Sequence, residues 1–514
     1  MKRSIAGGLS QRIVLAALTS CLTLAFVSCT SDKSGLTGYW DMKVPNADGT
    51  FRNTYFQLEQ SGETLTGKLF GRNIQGTLIK GTVKEGNVHF ETLPPVRAAG
   101  APPNDIQYRA MVFEGKIEGD KIALENVNRK IKGVAERTTK EAATPPAALP
   151  LPELHDLPDN GLVRTPPMGW NSWNKFAGKV TAEDVRGMAD AIVATGMDKL
   201  GYVYVNIDDT WEAGRDAQGN ITTNRKFPDM KALVDYVHSK GLKVGIYSSP
   251  GPTTCAGYEG SFGHEVQDAK TYAAWGIDYL KYDLCGARTV YASSEANHRG
   301  LYQKMGEALQ QSGRPIVFSL CQYGENDPWK WGTKTGGNLW RTTGDISDKW
   351  ESMDRIGFSQ IAISSYTRPG HWNDPDMLEI GNGGMTGDEY RTHMSLWSLL
   401  AAPLIAGNDL RSMSDETKSI LLNKEVIAVD QDAAAKPVQT LTPAGKVETL
   451  WRPMADGTVV IGIFNRGEDA ATSNLQLSKI PGFAGKKLRM RDLWLHRDVP
   501  IKGDQYAAQV PKHG

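Results

Sequence analysis

From residue 161 to residue 435 the chain alternates short apolar runs with amphipathic stretches, and no other feature constrains its fold so tightly. Apolar runs at 202–207, 244–247, 279–282, 316–320 and Leu404–Ala406 have the length and composition of buried parallel strands. Helical patterns lie between them, at Ala182–Thr195, 231–240, Glu265–Trp275 and 298–312, and several end in stop signals such as Ser239-Lys240-Gly241 and Ser312-Gly313. Weaker runs at 169–171, Leu339–Arg341 and 371–373 bring the strand count to eight. Eight strands with intervening helices over roughly 250 residues predict a (β/α)8 TIM barrel. An open doubly wound sheet would be expected to carry a strand–GxGxxG–helix unit, and none is found.

The chain has 514 residues, too many for one hydrophobic core, so the barrel needs companions. Residues 35–142 read as an all-β module. Stretches such as Tyr55-Phe56-Gln57-Leu58 and Asn87-Val88-His89-Phe90 partly alternate in polarity. Gly71, Gly76, Gly81 and Gly86 recur every five residues, which predicts tight turns or bulges in a small barrel or sandwich. Trp40 reads as a core anchor. The module carries no catalytic set, and its role is unassigned. Residues 143–160, with Thr144-Pro145-Pro146, Pro150, Pro152 and Pro158, predict a stiff extended linker. From 436 to 514 the pattern returns to strands, at 447–451, 458–464 and 488–492. This predicts a C-terminal antiparallel β-sandwich domain, with no evident final strand before Val510-Pro511-Lys512-His513-Gly514.

Lys2, Arg3 and Arg12 precede an apolar run at 13–27 that is short for a membrane span. The run ends at Ser28-Cys29-Thr30-Ser31-Asp32, which resembles a bacterial lipoprotein signal. On this reading residues 1–28 are a signal peptide and Cys29 becomes the lipidated first residue. Cys21 is a second-ranked site, and simple cleavage and secretion is the alternative. The expected product is an exported lipoprotein facing the periplasm or cell surface, touching the membrane only through its lipid anchor. Disulfides persist outside the cytosol. Cys255, Cys285 and Cys321 are the cysteines beyond the signal region, most simply one pair and one free thiol, and without a CxxC a structural zinc site is not expected. Lysine plus arginine equals aspartate plus glutamate at 58 each, with no basic stripe, so a nucleic-acid partner is not expected. Nothing in the sequence signals an oligomeric state.

In a barrel of this kind the pocket is built from the loops at the C-terminal ends of the strands. Those ends read Gly169-Trp170-Asn171-Ser172-Trp173, Asn206-Ile207-Asp208-Asp209-Thr210-Trp211, Tyr247-Ser248-Ser249 and Lys281-Tyr282-Asp283-Leu284-Cys285. They continue with Cys321-Gln322-Tyr323, Trp340-Arg341-Thr342-Thr343-Gly344-Asp345 and His371-Trp372-Asn373-Asp374-Pro375-Asp376. An aspartate after a strand is usually the N-cap of the next helix, and a tryptophan there is usually core. The joint occurrence is what matters: a ring of carboxylates and indoles suits a pyranose, whose hydroxyls need acceptors and whose C–H faces need aromatic surface. His371 with Asp374 and Asp376 would be a poor metal site without a second histidine, and no metal or other cofactor is expected.

The strings GWNSW, NIDD, KYD with a following Cys, WRTTGDI and WNDPDML, in this order, resemble glycoside hydrolase family 27, the α-galactosidases (melibiases) and α-N-acetylgalactosaminidases. The resemblance spans about residues 161 to 510 and excludes the N-terminal module. It implies a barrel plus a C-terminal antiparallel β domain, and hydrolysis with retention of configuration. It places the nucleophile at Asp283 and the general acid/base at Asp345, with substrate contacts at Trp173, Asp208, Asp209, Tyr247, Lys281, Gln322 and Arg341. The adjacent Asp208 and Asp209 would bind the 4- and 6-hydroxyls and so select the axial 4-OH of galactose. The Asn-Asp-Pro-Asp cluster would be supporting structure. Lys281, two residues from Asp283 on one strand, points to the same side and is expected to keep that carboxylate ionised. A retaining pair needs its carboxyls about 5–5.5 Å apart with the acid's pKa raised, and Asp283 together with aromatic surroundings would raise that of Asp345.

Departures from the family pattern narrow the reading. Thr210 stands where a cysteine often follows NIDD, so one common disulfide is absent. Cys255 and Cys285 match another family pair, tying the loop after strand three to the nucleophile loop. Gln322-Tyr323 stands where many α-galactosidases have Glu-Trp, which leaves selectivity at the sugar 2-position open. The expected activity is release of terminal α-linked D-galactose from oligo- or polysaccharides by double displacement. β-L-arabinopyranosidase and α-N-acetylgalactosaminidase are variants on the same scaffold, and a non-catalytic glycan-binding lipoprotein is the alternative of a different class. Family members commonly continue past a closing Pro-x-His-Gly, which predicts a C-terminus clipped at Gly514.

Overall fold

The computed structural model describes residues 35–45, 51–71, 74–93, 110–442 and 445–514. The predicted signal peptide and Cys29 lie outside the described residues. Among the described residues no helix is long and apolar enough to cross a membrane.

Eight antiparallel strands from Gly38–Pro45 to Ile131–Thr138 close into a small barrel, the first pairing with the last. Its interior is filled, with Phe56, Phe90 and Phe113 in mutual contact at centroid distances of 4.9–5.3 Å. Trp40 is buried, with the Arg137 guanidinium 4.5 Å from its ring. The five-residue glycine repeat is not a series of turns. Gly86 does turn the chain, at φ +78°. Gly81 instead lies within the strand Ile74–Lys84, where a Cβ would meet the His89 carbonyl oxygen at 2.1 Å. That strand also packs against Cys285–Thr289, the segment following the fourth strand of the central barrel.

The linker is strapped to the central barrel. The Leu149 amide and carbonyl both bond the Tyr291 hydroxyl, His155 N–H donates to Gln303, and Leu157 N–H donates to the Lys334 carbonyl.

The central barrel has eight parallel strands: Met168–Asn171, Tyr202–Asn206, Lys243–Ser248, Tyr279–Asp283, Val317–Cys321, Leu339–Arg341, Trp372–Asp374 and Leu404–Ala406. Each pairs with its neighbour in chain order through the seventh, and the eighth pairs with the first. Between the seventh and eighth, closure passes through Leu378, whose N–H donates to the Ile405 carbonyl and whose carbonyl accepts from Gly407 N–H. The helices follow from local signals. Ala182–Thr195 starts in a capping box of Thr181 and Asp184 and stops at left-handed Gly196, and Glu265–Trp275 stops at Gly276. The helix expected at 298–312 begins three residues sooner, at Glu295, because the Ser294 side chain caps it.

The C-terminal domain pairs Gln439–Thr442, Val447–Pro453 and Val459–Asn465 in one sheet. Against the sequence reading there is a last strand, Gln505–Val510, antiparallel to Ala471–Gln476. Its alternation is mostly between exposed and half-buried positions, so the apolar signal is faint. The closing His513 stacks on Trp350 at 4.0 Å and binds Glu389, while its carbonyl accepts from Thr392. This domain therefore buttresses the barrel helix Gly387–Leu400.

Candidate active site

The strand ends converge as expected at the C-terminal mouth of the barrel. Asp208 and Asp209 follow the second strand and are both buried. The Asp208 Oδ2 atom accepts from Asn171 Nδ2 at 2.9 Å and from Lys281 Nζ at 2.8 Å, and Oδ1 accepts from the Asp209 N–H. Asp209 Oδ2 accepts from Ala256 N–H at 2.6 Å. Behind them sits Glu212, which the sequence reading passed over. Its burial, then the charge of Asp209, push its pKa up, while the Thr210 N–H donates to its Oε2 at 3.0 Å. Its sequence signal, one glutamate near two aspartates, is indistinguishable from a helix cap.

Lys281 lies in register with Tyr247 on the third strand, its ammonium 5.4 Å from the Tyr247 ring. Its ion pair is with Asp208, a partner that strand spacing did not indicate. Burial is the largest single influence and acts to lower the Lys281 pKa, but Asp208, Cys321 and Asp283 together outweigh it and hold the ammonium well above its ordinary value. The lysine still acts on Asp283 through space. Burial raises the Asp283 pKa; Lys281 and the Tyr323 hydroxyl pull it back, and Asp345 and Asp208 push it up again.

Asp283 ends the fourth strand, only 4 % exposed. Tyr323 donates to its Oδ1 at 2.7 Å. The Cys255–Cys285 disulfide is present and ties the loop after strand three to the loop after Asp283, while Cys321 is the free, buried thiol among the described residues. Among the described residues the one cluster with metal-like spacing is Cys255, Asp283 and Cys285, and its sulfurs are spent in that disulfide. His371 faces elsewhere, toward Asp159 and the Gly337 carbonyl.

Gln322 is fully buried, and neither polar atom of its amide has a partner among the described residues. A buried amide without partners implies a ligand group to satisfy it. Trp173 is half-buried at the first strand's mouth, its N–H held by Asn171 Oδ1.

Arg341 bonds Asp376 Oδ2 at 2.7 Å and Asp345 Oδ1 at 3.1 Å. The Asp345 side chain is 71 % exposed, so the aromatic enclosure expected around it is not part of the chain itself. Asp376, expected only as supporting structure, holds more than a turn. It accepts from Ile346 N–H next to Asp345, its carbonyl accepts from Trp397 Nε1, and burial lifts its pKa to about 6 despite Arg341. Thr210, Tyr323 and Asp376 have φ of +87°, +61° and +92°. Three non-glycine residues in the left-handed region at one mouth mark a site where the fold stores strain.

The chain has well-matched relatives. Residues 165–432 match the family described as Alpha galactosidase A, and residues 444–514 match the Alpha galactosidase C-terminal beta sandwich domain. The Alpha-galactosidase of Cyamopsis tetragonoloba is 47 % identical over 361 residues, 70 % of this chain and 86 % of that protein. The crystal structure of alpha-galactosidase I from Mortierella vinacea superposes with a TM-score of 0.66 at 38 % identity, covering 70 % of this chain and 97 % of its own. A Bacteroides fragilis structure, a candidate alpha-galactosidase/melibiase, has a TM-score of 0.66 at 30 % identity and covers 93 % of this chain and 97 % of its own. With the barrel and the C-terminal β-sandwich both matched, the chain belongs to glycoside hydrolase family 27, the melibiase family.

Proposed function

We propose that the protein is a retaining exo-α-galactosidase in which Asp283 is the nucleophile and Asp345 the acid/base. The observation that carries this is a buried carboxylate, Asp283, in the field of the Lys281 ammonium, which is itself ion-paired with Asp208 of the adjacent Asp208–Asp209 pair. In the first step an Asp283 oxygen bonds the anomeric carbon, the glycosidic C–O bond breaks, and the leaving oxygen takes the Asp345 proton. In the second, water attacks the anomeric carbon, gives its proton to Asp345, and releases Asp283 as a carboxylate. Asp345 is exposed and the second-choice partner of Arg341, whose shorter bond goes to Asp376, so it can receive an incoming glycosidic oxygen. The Asp208–Asp209 pair supports a galactose-configured guest, because two adjacent fixed acceptors suit an axial 4-OH beside the 6-OH. The relatives named above support the same sugar.

A panel of nitrophenyl glycosides tests the reading. α-Galactoside should be cleaved far faster than β-L-arabinopyranoside or α-N-acetylgalactosaminide, and Asp283→Asn should abolish turnover while the fold persists. Preference for either other glycoside, or wild-type activity in the Asn variant, rejects it. We further propose export with anchoring through lipid on Cys29. Labelling of the wild type but not of Cys29→Ser by a fatty-acid probe checks this.

A further inference from the structure

The turn after the fifth barrel strand carries a side chain that the double-displacement scheme leaves without a task. Tyr323 stands at φ +61°, a region that a bulky aromatic residue occupies only when its surroundings impose it. The following Gly324, at φ +80°, leaves no space for a Cβ, which would lie 2.2 Å from the Thr342 carbonyl oxygen. The turn is thus pinned against the sixth-strand loop, and it brings the phenol to the end of the fourth strand. There the hydroxyl lies 2.7 Å from Asp283 Oδ1 and touches the disulfide sulfurs of Cys285 and Cys255 at 3.3 and 3.5 Å. The Arg288 guanidinium sits 5.0 Å from the ring. The other neighbour of Asp283 Oδ1, Cys285 Sγ at 3.6 Å, has no proton to give because it is in the disulfide. Asp283 Oδ2 has no hydrogen-bond partner among the described residues.

We propose that Tyr323 is the positioning residue of the nucleophile: its phenol fixes Asp283 Oδ1, leaves Oδ2 as the attacking oxygen, and helps the carboxylate leave the sugar in the second step. The proposal rests on the reading of Asp283 as nucleophile.

A carboxylate with both oxygens free turns about its last bond, whereas one short hydrogen bond selects a single orientation. When Oδ2 bonds the anomeric carbon, the charge on Asp283 disappears and the phenol's bond weakens. When water displaces the carboxylate the charge returns and the bond strengthens, so the phenol favours the second step over the first. Tyr323 can only donate, because burial and then the Asp283 charge keep the phenol protonated. The other charged or titratable groups acting on Asp283 are Lys281 on its own strand, Asp208 after the second and Asp345 after the sixth. Tyr247 from the third strand, Cys321 from the fifth, Arg288 from the loop after the fourth and Tyr302 from the helix Glu295–Gln311 also face it.

The test compares full-length Tyr323→Phe and Tyr323→Trp with wild type on dinitrophenyl and nitrophenyl α-galactosides. Tyr323→Phe is expected to lower kcat on the dinitrophenyl substrate about 10- to 100-fold, the worth of a hydrogen bond to a charged group. KM should fall with it, because the glycosyl-enzyme accumulates. The acid limb of kcat/KM should move to higher pH, since a carboxylate without its donor holds its proton more tightly. Tyr323→Trp, whose indole N–H can donate, should recover part of kcat and of the pH shift. An unmoved acid limb in Tyr323→Phe, or equal losses in both variants, overturns the proposal. The underlying reading is checked apart, in Asp283→Gly. Azide should restore turnover there with inverted stereochemistry, and a failure of that rescue removes Asp283 as nucleophile whatever Tyr323 does.

Discussion

The Lys281 ammonium lies 2.8 Å from Asp208 Oδ2 and acts on Asp283 only through space. One cation therefore serves two tasks, fixing a carboxylate that would read the sugar and keeping the nucleophile more acidic than its burial alone would allow.

Removing that cation should damage both. Lys281→Met leaves Asp208 buried without its counter-charge and lets the Asp283 pKa rise. We expect kcat/KM to fall by at least about 100-fold, comparable to losing one strong electrostatic contact in a dry site. The acid limb of the pH–rate profile should move upward. Steady-state kinetics across pH 3–8 measures both, and an unmoved limb would separate Lys281 from the nucleophile.

Burial raises the Asp283 pKa in the folded state. Below the unfolded-state pKa the carboxyl is protonated in both states and folding is not penalised. As pH rises through the unfolded value toward the folded one, the unfolded chain ionises more readily and stability is lost. At neutral pH Asp283→Asn removes that penalty. It should raise the melting temperature by about 2 °C while abolishing turnover, with the gain vanishing at low pH. Scanning calorimetry at neutral and acidic pH decides it, and equal gains at both would point to packing instead.

Asp376 holds Arg341 with a shorter bond than Asp345 does and also anchors the Ile346 amide. With Asp376→Asn, Arg341 loses its main counter-charge and should draw Asp345 into a tighter ion pair. That ties up the carboxyl that must meet the glycosidic oxygen, and kcat should fall about 10- to 100-fold with little change in KM. Loss confined to KM would show that Asp376 contacts the sugar instead.

Much of this was legible because period and punctuation agree. Helices Ala182–Thr195 and Glu265–Trp275 fall where their caps place them, and the strands differ from their apolar runs by a residue or two. The site residues were legible as strand ends. Their partners were not. Strand spacing puts Lys281 on the same side as Asp283, as its pull on the Asp283 pKa bears out, whereas its ion pair with Asp208 depends on where a loop from the second strand crosses the mouth. The contact between Tyr323 and Asp283 depends on a left-handed backbone at a tyrosine, which composition does not announce. The strand Gln505–Val510 was missed because most of its face is exposed, so little hydrophobic pattern marks it.

Thr210 stands where relatives often have a cysteine, and the structure has a substitute for the missing bridge. Lys226 Nζ donates to Thr210 Oγ1 at 2.7 Å and to the Gly178 carbonyl at 2.9 Å, joining the loop of Trp173 to the loop of Asp208 and Asp209. A Cβ at Gly178 would have as its nearest neighbours Thr210 Cγ2 at 3.5 Å and Oγ1 at 3.9 Å, the two positions a cysteine sulfur at 210 could take. Lys226→Met should therefore lower stability by about 1–3 kcal/mol, since it removes two hydrogen bonds from a charged donor and leaves the Gly178 carbonyl only the longer bond from the Thr210 hydroxyl at 3.5 Å. Adding Gly178→Cys and Thr210→Cys to that variant should restore the melting temperature when oxidised. Reductant should then cost the triple variant more than it costs Lys226→Met alone, which loses only the Cys255–Cys285 bridge. Equal losses would mean that the two loops do not depend on being joined at this point.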